Sequence, residues 1–203
     1  MTVVAAFDLD GTITDRDCLV RFTIDAVGHR ALLQAIGRHV LMHPRSLTRR
    51  DEMKRAMSSS LRGKGVDEID AVARQFVDQR VVRWFRADTI DRLEQHRAAG
   101  HQLVIVSASY EVYVRHIAAR LGAAAVATRL ASDDGYLTGA LDGPNCRGAE
   151  KVTRLQQWLR DVHNLSMDEV ELHAYGDSSG DTALLEAANQ RCLVTPRRRW
   201  SPV

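Results

Sequence analysis

The segment FDLDGTIT, which begins at Phe7, contains the two residues whose types and spacing most clearly predict chemistry. Asp8 and Asp10 end an apolar run, and because strand side chains alternate between faces, both carboxylates emerge on the same side. Two carboxylates this close repel each other, and a hard divalent cation such as Mg²⁺ relieves the repulsion. Gly11 and Thr12 then break the strand. The pattern predicts a Mg²⁺ site with a carboxylate that can attack phosphorus.

Further polar motifs follow other apolar segments of the chain. Ser107 comes directly after LVIV, where its hydroxyl and neighbouring backbone N–H groups, such as that of Ala108, could hold an anion. Lys151 in GAEK lies near the start of a predicted helix, and Asp177 and Asp181 in GDSSGD follow another apolar run. Taken alone, Ser107 would be a helix cap and Lys151 a solvated charge. In a parallel sheet, however, the carboxyl ends of the strands meet, so one shared site is expected.

The elements that must position these residues alternate along the chain. Apolar runs predict strands at 3–7, 102–106, 123–128, 171–175 and 192–195. Periodicity predicts helices at 88–99, 110–121, 150–162 and 180–188, and DDGYLTGAL predicts a hairpin. Residues 19–85 show only helical periodicity, which indicates an insertion. The expected fold class is α/β, with a Rossmann-like parallel-sheet core (1–15 and 86–203) and a small all-helical cap (16–85) inserted after the first strand.

Composition restricts the class of protein and of partner. The 203 residues are 45% hydrophobic and carry a net charge of +2, from 28 basic and 26 acidic side chains. Such a chain can bury a core, and its balanced charge predicts neither a nucleic acid partner nor integral membrane association. Cys18, Cys146 and Cys192 fit no disulfide or zinc pattern, and no secretory leader is visible, so a cytoplasmic location is expected. Nothing in the sequence indicates an oligomeric state.

Taken in order, FDLDGT, VSAS, GAEK and GDSSGD resemble the four motifs of the haloacid dehalogenase superfamily. The insertion, the hairpin and the GAEKVTRL segment resemble the branch that contains phosphoserine phosphatase and phosphatidylglycerophosphatase-type hydrolases. The resemblance implies that Asp8 is a nucleophile forming an aspartyl-phosphate and that Asp10 is the general acid and base. It also implies that Asp8, Asp177 and the main-chain carbonyl of Asp10 bind Mg²⁺.

The same resemblance assigns roles to the remaining motif residues. Ser107, Ala108 and Lys151 would hold the phosphoryl oxygens. Asp181 would orient Lys151 or a water on the metal, and Thr12 would support the first motif. An aspartate at the position of Asp10 separates the phosphatases of the superfamily from its dehalogenases. The resemblance therefore implies a Mg²⁺-dependent phosphatase whose partner is a small, soluble phosphate monoester.

The identity of the ester depends on the cap. Asp17 stands where phosphoserine phosphatases carry a glutamate that holds the substrate amine, and Gly180 replaces an asparagine of their fourth motif. Both departures weaken the expectation that phosphoserine is the substrate. The candidates for substrate specificity are Asp17, Lys54 and Arg55. The insertion lacks the strongly apolar segments of the related lipid phosphatases, which favours a soluble metabolite. Phosphoserine, a phosphorylated lipid head group and histidinol phosphate remain alternative substrates.

Other classes of function compete with hydrolysis. A non-catalytic phosphoacceptor module also uses acidic residues, a Ser or Thr and a Lys at the end of a parallel sheet, but it needs no second aspartate and no long insertion. Transfer of the phosphoryl group to an acceptor other than water stays open as well. The tail Arg197–Trp200 could bind nucleic acid or an anionic membrane, although a mobile, solvated terminus is the simpler expectation.

Overall fold

The strands of the protein pair into a single, mostly parallel sheet. The computed structural model describes residues 1–42, 50–195 and 198–202. Within these residues the strands are β1 (Thr2–Phe7), β2 (Gln102–Tyr110), β3 (Ala124–Asp133), β4 (Tyr136–Asp142), β5 (Val170–Gly176), β6 (Gln190–Thr195) and β7 (Arg198–Pro202). Their order in the sheet is β4-β3-β2-β1-β5-β6-β7, and only β4 and β7 run antiparallel to their neighbours.

Helices cover both faces of this sheet. They are α1 (Leu19–Met42), α2 (Arg50–Ser59), α3 (Val66–Gln79), α4 (Ala87–Ala98), α5 (Glu111–Arg120), α6 (Ala149–Trp158) and α7 (Thr182–Glu186). Phe7 of β1 packs in one core cluster, which also contains residues of α4 and α5, and Ala6 packs in the other, with residues of α6 and α7. Burial on both faces explains the continuous apolar run of β1. The α/β fold class expected from the sequence is confirmed.

The chain leaves the sheet after β1 and returns to it through paired segments. Asp15 N–H donates to the carbonyl of Trp84 at 2.9 Å, and Arg86 N–H donates to the carbonyl of Ile13 at 2.9 Å. Helices α1 to α3 lie between these crossings, and α1 is kinked at Gly28, whose φ is 80°. We therefore retain residues 16–85 as the proposed cap. None of the helices in the described parts of the chain has both the length and the hydropathy needed to cross a bilayer.

The cap packs closely on the hairpin of β3 and β4. Gly63 N–H donates to the carbonyl of Leu137 at 2.8 Å, and Ser58 Oγ donates to the carbonyl of Gly139 at 3.0 Å. Both residues of the hairpin turn, Asp134 and Gly135, have positive φ, which is the geometry of a two-residue type I′ turn. The hairpin predicted from DDGYLTGAL thus forms a support for the cap.

Two segments differ from the sequence prediction. Strand β2 continues through Ser107 to Tyr110, with an irregular register after Ser107, so this serine lies in a strand end and not at a helix start. Residues Arg198–Pro202 form β7, so the expectation of a mobile tail is wrong for them, while Arg197 lies outside the described residues. Pairing with β7 satisfies the backbone groups that β6 would otherwise expose at a sheet edge.

A histidine cluster lies between α4 and β5. His96 is 6% exposed, and its Nε2 is 2.7 Å from the hydroxyl of Tyr175, while its Nδ1 is 2.7 Å from Nδ1 of His101. The ring of His173 lies 5.2 Å from that of His96, centroid to centroid. Burial, together with His173, His101 and Arg92, lowers the pKa of His96 to about 4. The native protein therefore resists protonation at this position.

We expect the contribution of His96 to the free energy of unfolding to fall as the pH decreases from 6.5 to about 4, because unfolded His96 binds a proton in this window and native His96 does not. The contribution should be on the order of 1–3 kcal/mol. Urea unfolding at a series of pH values between about 7.5 and 4.5 measures this contribution. The difference between the wild-type and His96→Gln profiles should show this contribution, whereas the profile of His29→Gln, at an exposed position, should follow that of wild type. Identical profiles for wild type and His96→Gln would refute the assignment.

Candidate active site

The carboxyl ends of β1, β2 and β5 and the first turn of α6 open into one cavity of about 510 Å³. β1 lies at the centre of the sheet between β2 and β5, so residues that follow these strands converge. The cavity is lined by most of the residues that the motifs predicted, namely Asp8, Asp10, Ser107, Ala108, Lys151, Asp177 and Asp181. Strand order thus brings together side chains that are up to 173 positions apart in the sequence, as for Asp8 and Asp181.

Lys151 joins two carboxylates at the base of this cavity. Its Nζ donates to Asp8 Oδ1 at 2.5 Å and to Asp181 Oδ1 at 2.6 Å, and the residue is 1% exposed. Burial alone would lower the pKa of Lys151, but Asp8 and Asp181 outweigh it and raise the pKa well above its usual range. Burial also raises the pKa of Asp8, and Lys151 opposes that rise. Lys151 is therefore a fixed positive charge beside Asp8.

Asp181 is held in place from its other side. Its Oδ2 accepts hydrogen bonds from Ser178 N–H at 3.0 Å and from Ser178 Oγ at 2.9 Å. Gly176 leaves space for it, since a Cβ at position 176 would lie 2.5 Å from the Cβ of Asp181. These contacts orient the carboxylate that in turn orients Lys151.

Asp10 has partners different from those of Asp8. Its Oδ1 accepts the N–H of Cys18 at 2.7 Å, and its Oδ2 accepts a short hydrogen bond from Ser109 Oγ. Burial raises the pKa of Asp10 to about 6, with a further contribution from the charge of Asp17. Sequence reasoning missed Cys18 and Ser109, although the second serine of VSAS was a visible signal for Ser109.

A group of carboxylates in the cavity fits a hard divalent cation. Asp8, Asp177 and Asp181 each offer an oxygen, and these oxygens lie within 4.8 Å of one another. An all-oxygen donor set of this kind suits Mg²⁺. The side chain of Asp10 is not in this group, and the resemblance assigned its main-chain carbonyl to the metal. Asp181, which the sequence placed in a supporting role, is also close enough to belong to the group.

Gly11 leaves the space that Asp177 occupies. Its φ is +89°, and a Cβ built at this position would lie 2.2 Å from Asp177 Oδ2 and 2.6 Å from Asp177 Cγ. Neither distance is compatible with a real Cβ contact. Any side chain at position 11 therefore has to displace the carboxylate of Asp177.

For the phosphate ester hydrolysis that the four motifs imply, we expect Gly11→Ala to lower kcat/KM by about 10²-fold or more, since small displacements in a catalytic site have costs of this size. The variant should also need more Mg²⁺ for half-maximal activity. Gly100→Ala is the matched control, because Gly100 has a similar φ of +76° with no atom near its would-be Cβ. Equal loss of activity in both variants would mean that backbone strain, not the displacement of Asp177, is responsible.

The specificity candidates from the sequence do not all reach the cavity. Asp17 lines it, but its Oδ1 accepts the N–H of Leu19 at 2.8 Å and so caps α1. Arg55 is absent from its lining and pairs with Glu52 at 3.1 Å. Thr12, which was expected to support the first motif, is also outside the lining. It is buried, and its carbonyl accepts a hydrogen bond from Thr89 Oγ1 at 2.7 Å.

Lys54 lines the cavity and joins the cap to the core. Its Nζ donates to Asn145 Oδ1 at 2.6 Å and to the carbonyl of Ala108, and the residue is 5% exposed. Asn145 also accepts from Thr128 Oγ1 at 2.9 Å and donates to Asp51 Oδ1 at 2.6 Å. Burial lowers the pKa of Lys54 to about 8. Asn145 lies in no motif, so the sequence contained no local signal for this contact.

Comparison with known proteins places the chain in a family. The model of the haloacid dehalogenase-like hydrolases matches residues 5–186, so the chain belongs to this family. It is 34% identical over 197 residues to the protein CicA of Caulobacter vibrioides, covering 93% of this chain and 84% of that protein. It is 28% identical over 202 residues to a probable phosphatase of Mycobacterium tuberculosis, covering 96% of this chain and 69% of that protein. The resemblance inferred from the four motifs is confirmed at the level of the family.

Solved structures support the fold. A Bordetella pertussis protein of unknown function superposes with a TM-score of 0.76 at 24% identity, covering 94% of this chain and 89% of that one. A substrate-bound phosphoserine phosphatase superposes with a TM-score of 0.61 at 17% identity, covering 94% and 85%. At these identities the likeness extends to the fold alone.

Proposed function

We propose that this protein is a Mg²⁺-dependent phosphomonoesterase that hydrolyses a small phosphate ester through an aspartyl-phosphate on Asp8. The observation that carries the proposal is the buried ammonium of Lys151, held between Asp8 and Asp181 where the strands end. A fixed cation beside a carboxylate lets an anionic phosphoryl group approach a nucleophile of the same charge. The family and a relative named as a probable phosphatase support the same reaction.

In the first step, a carboxylate oxygen of Asp8 attacks phosphorus and the bond from phosphorus to the ester oxygen breaks. Asp10 gives a proton to the departing alkoxide. In the second step, Asp10 takes a proton from water as the water oxygen attacks the phosphorus of the aspartyl-phosphate, which releases inorganic phosphate and restores Asp8. The carboxylate of Asp10 accepts hydrogen bonds from Cys18 and Ser109, whereas that of Asp8 accepts one from Lys151, and these separate partners support this division of roles.

The other lining residues bind and position the phosphoryl group. Lys151, the hydroxyl of Ser107 and the backbone N–H of Ala108 would hold its oxygens, and Asp181 keeps Lys151 in place. Asp8, Asp177 and the main-chain carbonyl of Asp10 would hold Mg²⁺. When bound, the ion neutralises negative charge on the phosphoryl group and offsets the repulsion between the carboxylates.

The cap and the location of the protein are part of the same proposal. Residues 16–85 would cover the cavity during turnover and limit the entry of water. The substrate would be a free small molecule and not a nucleic acid. Cys18, Cys146 and Cys192 are free thiols, which agrees with a cytoplasmic location.

Purified protein should hydrolyse p-nitrophenyl phosphate when Mg²⁺ is present. Excess chelator should stop turnover, and added Mg²⁺ should restore it, because the carboxylates that would bind the ion otherwise repel the substrate. Steady-state release of nitrophenolate measures both effects. Stoichiometric phosphorylation without turnover would favour the phosphoacceptor module instead, and turnover that chelation leaves unchanged would contradict the role of the metal.

A further inference from the structure

The cavity is lined differently by the core and by the cap. The ends of the core strands contribute mostly charged and polar side chains. Two helices of the cap contribute apolar ones, Leu19 and Val20 from α1 and Met53 and Met57 from α2. Met57 is 3% exposed, whereas Val20 is 48% exposed. The apolar lining therefore extends from a buried position to one that is open to solvent.

The acidic side chains at the cap side of the cavity already have partners in the chain. Asp17 accepts the backbone N–H of Leu19. Asp15 pairs with Arg16 at 3.6 Å, and their side chains are 55% and 65% exposed. A substrate ammonium group would have to compete with these contacts.

The buried cation of the cap is also engaged. Lys54 donates to the carbonyl of Ala108 and to the side chain of Asn145. Two of the three N–H groups of its ammonium are used in this way, so a second acidic group on the substrate could accept only the remaining one. The arginines that line the cavity, Arg16 and Arg147, contact Asp15 and Ser179 Oγ. A charged or zwitterionic organic group would be desolvated beside Met53 and Met57 and would compete with these contacts for a partner, which is unfavourable.

On the basis of the phosphatase function proposed above, we propose that the preferred substrates are phosphomonoesters of alcohols with an uncharged, apolar chain or ring. The phosphoryl group lies against Lys151, and the organic group packs against Leu19, Met53 and Met57. Apolar contact there is favourable in proportion to the area removed from water, and methionine side chains adapt to ligands of different shape. Water supplies the oxygen that joins phosphorus, and the leaving alcohol takes up a proton.

The test compares kcat/KM for hexyl phosphate, glycerol 3-phosphate and O-phosphoserine. All three esters release a primary alcohol, so differences report mainly on recognition of the organic group. We expect hexyl phosphate to exceed the two polar esters by at least about 10-fold, given the usual effect of apolar contacts on selectivity. Equal or better hydrolysis of either polar ester would overturn the inference and leave the proposed function intact. If the protein hydrolyses neither these three esters nor p-nitrophenyl phosphate, the proposed function itself is contradicted.

Substitutions in the cap test whether its apolar side chains cause the preference for hexyl phosphate. Met53→Gln and Met57→Gln should each reduce the ratio of hexyl phosphate to glycerol 3-phosphate by about 10-fold. Met57→Leu should keep the ratio, because it keeps the apolar surface. Met167→Gln is the control, since Met167 is partly buried in the other core cluster and outside the cavity. Met53 is only partly buried, so Met53→Gln keeps the test valid if Met57→Gln does not fold. A ratio that Met53→Gln leaves unchanged would overturn the inference.

Discussion

Asp8→Asn is expected to lower kcat for p-nitrophenyl phosphate by about 10⁴-fold or more, which is the scale for loss of a catalytic nucleophile. The amide keeps the size of the side chain but is a poor nucleophile toward phosphorus. It also removes one negative charge from a group in which Asp8, Asp177 and Asp181 lie within 4.8 Å of one another. Loss of activity should therefore not be accompanied by loss of the fold.

The control for this variant is Asp161→Asn, which makes the same chemical change at an exposed position away from the cavity. It should leave kcat and KM unchanged. Circular dichroism and thermal unfolding should show Asp8→Asn to be folded. Activity within about tenfold of wild type in a folded Asp8→Asn sample would be incompatible with the proposed mechanism, since such a change is far smaller than loss of a nucleophile produces.

Lys151→Met should affect both stability and activity. Without the ammonium, the carboxylates of Asp8 and Asp181 remain buried without their shared cation, and breaking a buried ion pair costs about 3–5 kcal/mol. The free energy of unfolding in the absence of Mg²⁺ should fall by about this amount. Activity should fall by about 10²-fold or more, because the charge that stabilises the phosphoryl group is lost.

The matched control is Lys64→Met, since Lys64 pairs with Glu68 at 2.9 Å on the surface, with side chains 39% and 51% exposed. Removing an exposed pair changes stability by about 1 kcal/mol or less. Chemical denaturation of both variants and of wild type in chelator provides the comparison. Equal stability losses for the buried and the exposed lysine would show that Lys151 does not hold the carboxylates together.

The parts of the fold that depend on local pattern could be predicted from the sequence. β1 is a continuous apolar run because it is buried on both faces, and the positions that follow β1, β2 and β5 therefore indicated where polar residues would meet. Strand order brings Asp8 and Lys151 into contact. The chemistry was accessible because Asp8, Ser107 and Asp177 each lie in a short motif at the end of a strand, and Lys151 lies in one that begins α6.

Contacts between distant segments could not be predicted in the same way. The position of Lys54 depends on how α2 of the cap approaches the loop that contains Asn145, and the two residues are 91 positions apart. Periodicity also did not distinguish Lys54 from Arg55, although the structure turns one toward the cavity and the other toward Glu52. The pairing of β7 with β6 could not be predicted, because the edge of β6 that β7 covers exists only once the sheet has assembled.

The apolar lining of the cap escaped sequence reasoning for a related reason. A sequence reveals long apolar segments, but the lining is assembled from single side chains on two helices, Leu19 and Val20 on α1 and Met53 and Met57 on α2. No run of apolar residues marks such a surface. This lining is the basis for the proposed apolar organic group of the substrate, which the sequence did not indicate.

Rapid acid quenching during turnover of p-nitrophenyl [³²P]phosphate tests the central claim most directly. Digestion of the quenched protein, followed by sequencing of labelled peptides, locates any covalent phosphoryl group. We predict label on the peptide that contains Asp8, removed when unlabelled substrate is added before the quench, and absent from Asp8→Asn. Turnover without label at Asp8, or label on another residue, would contradict the account.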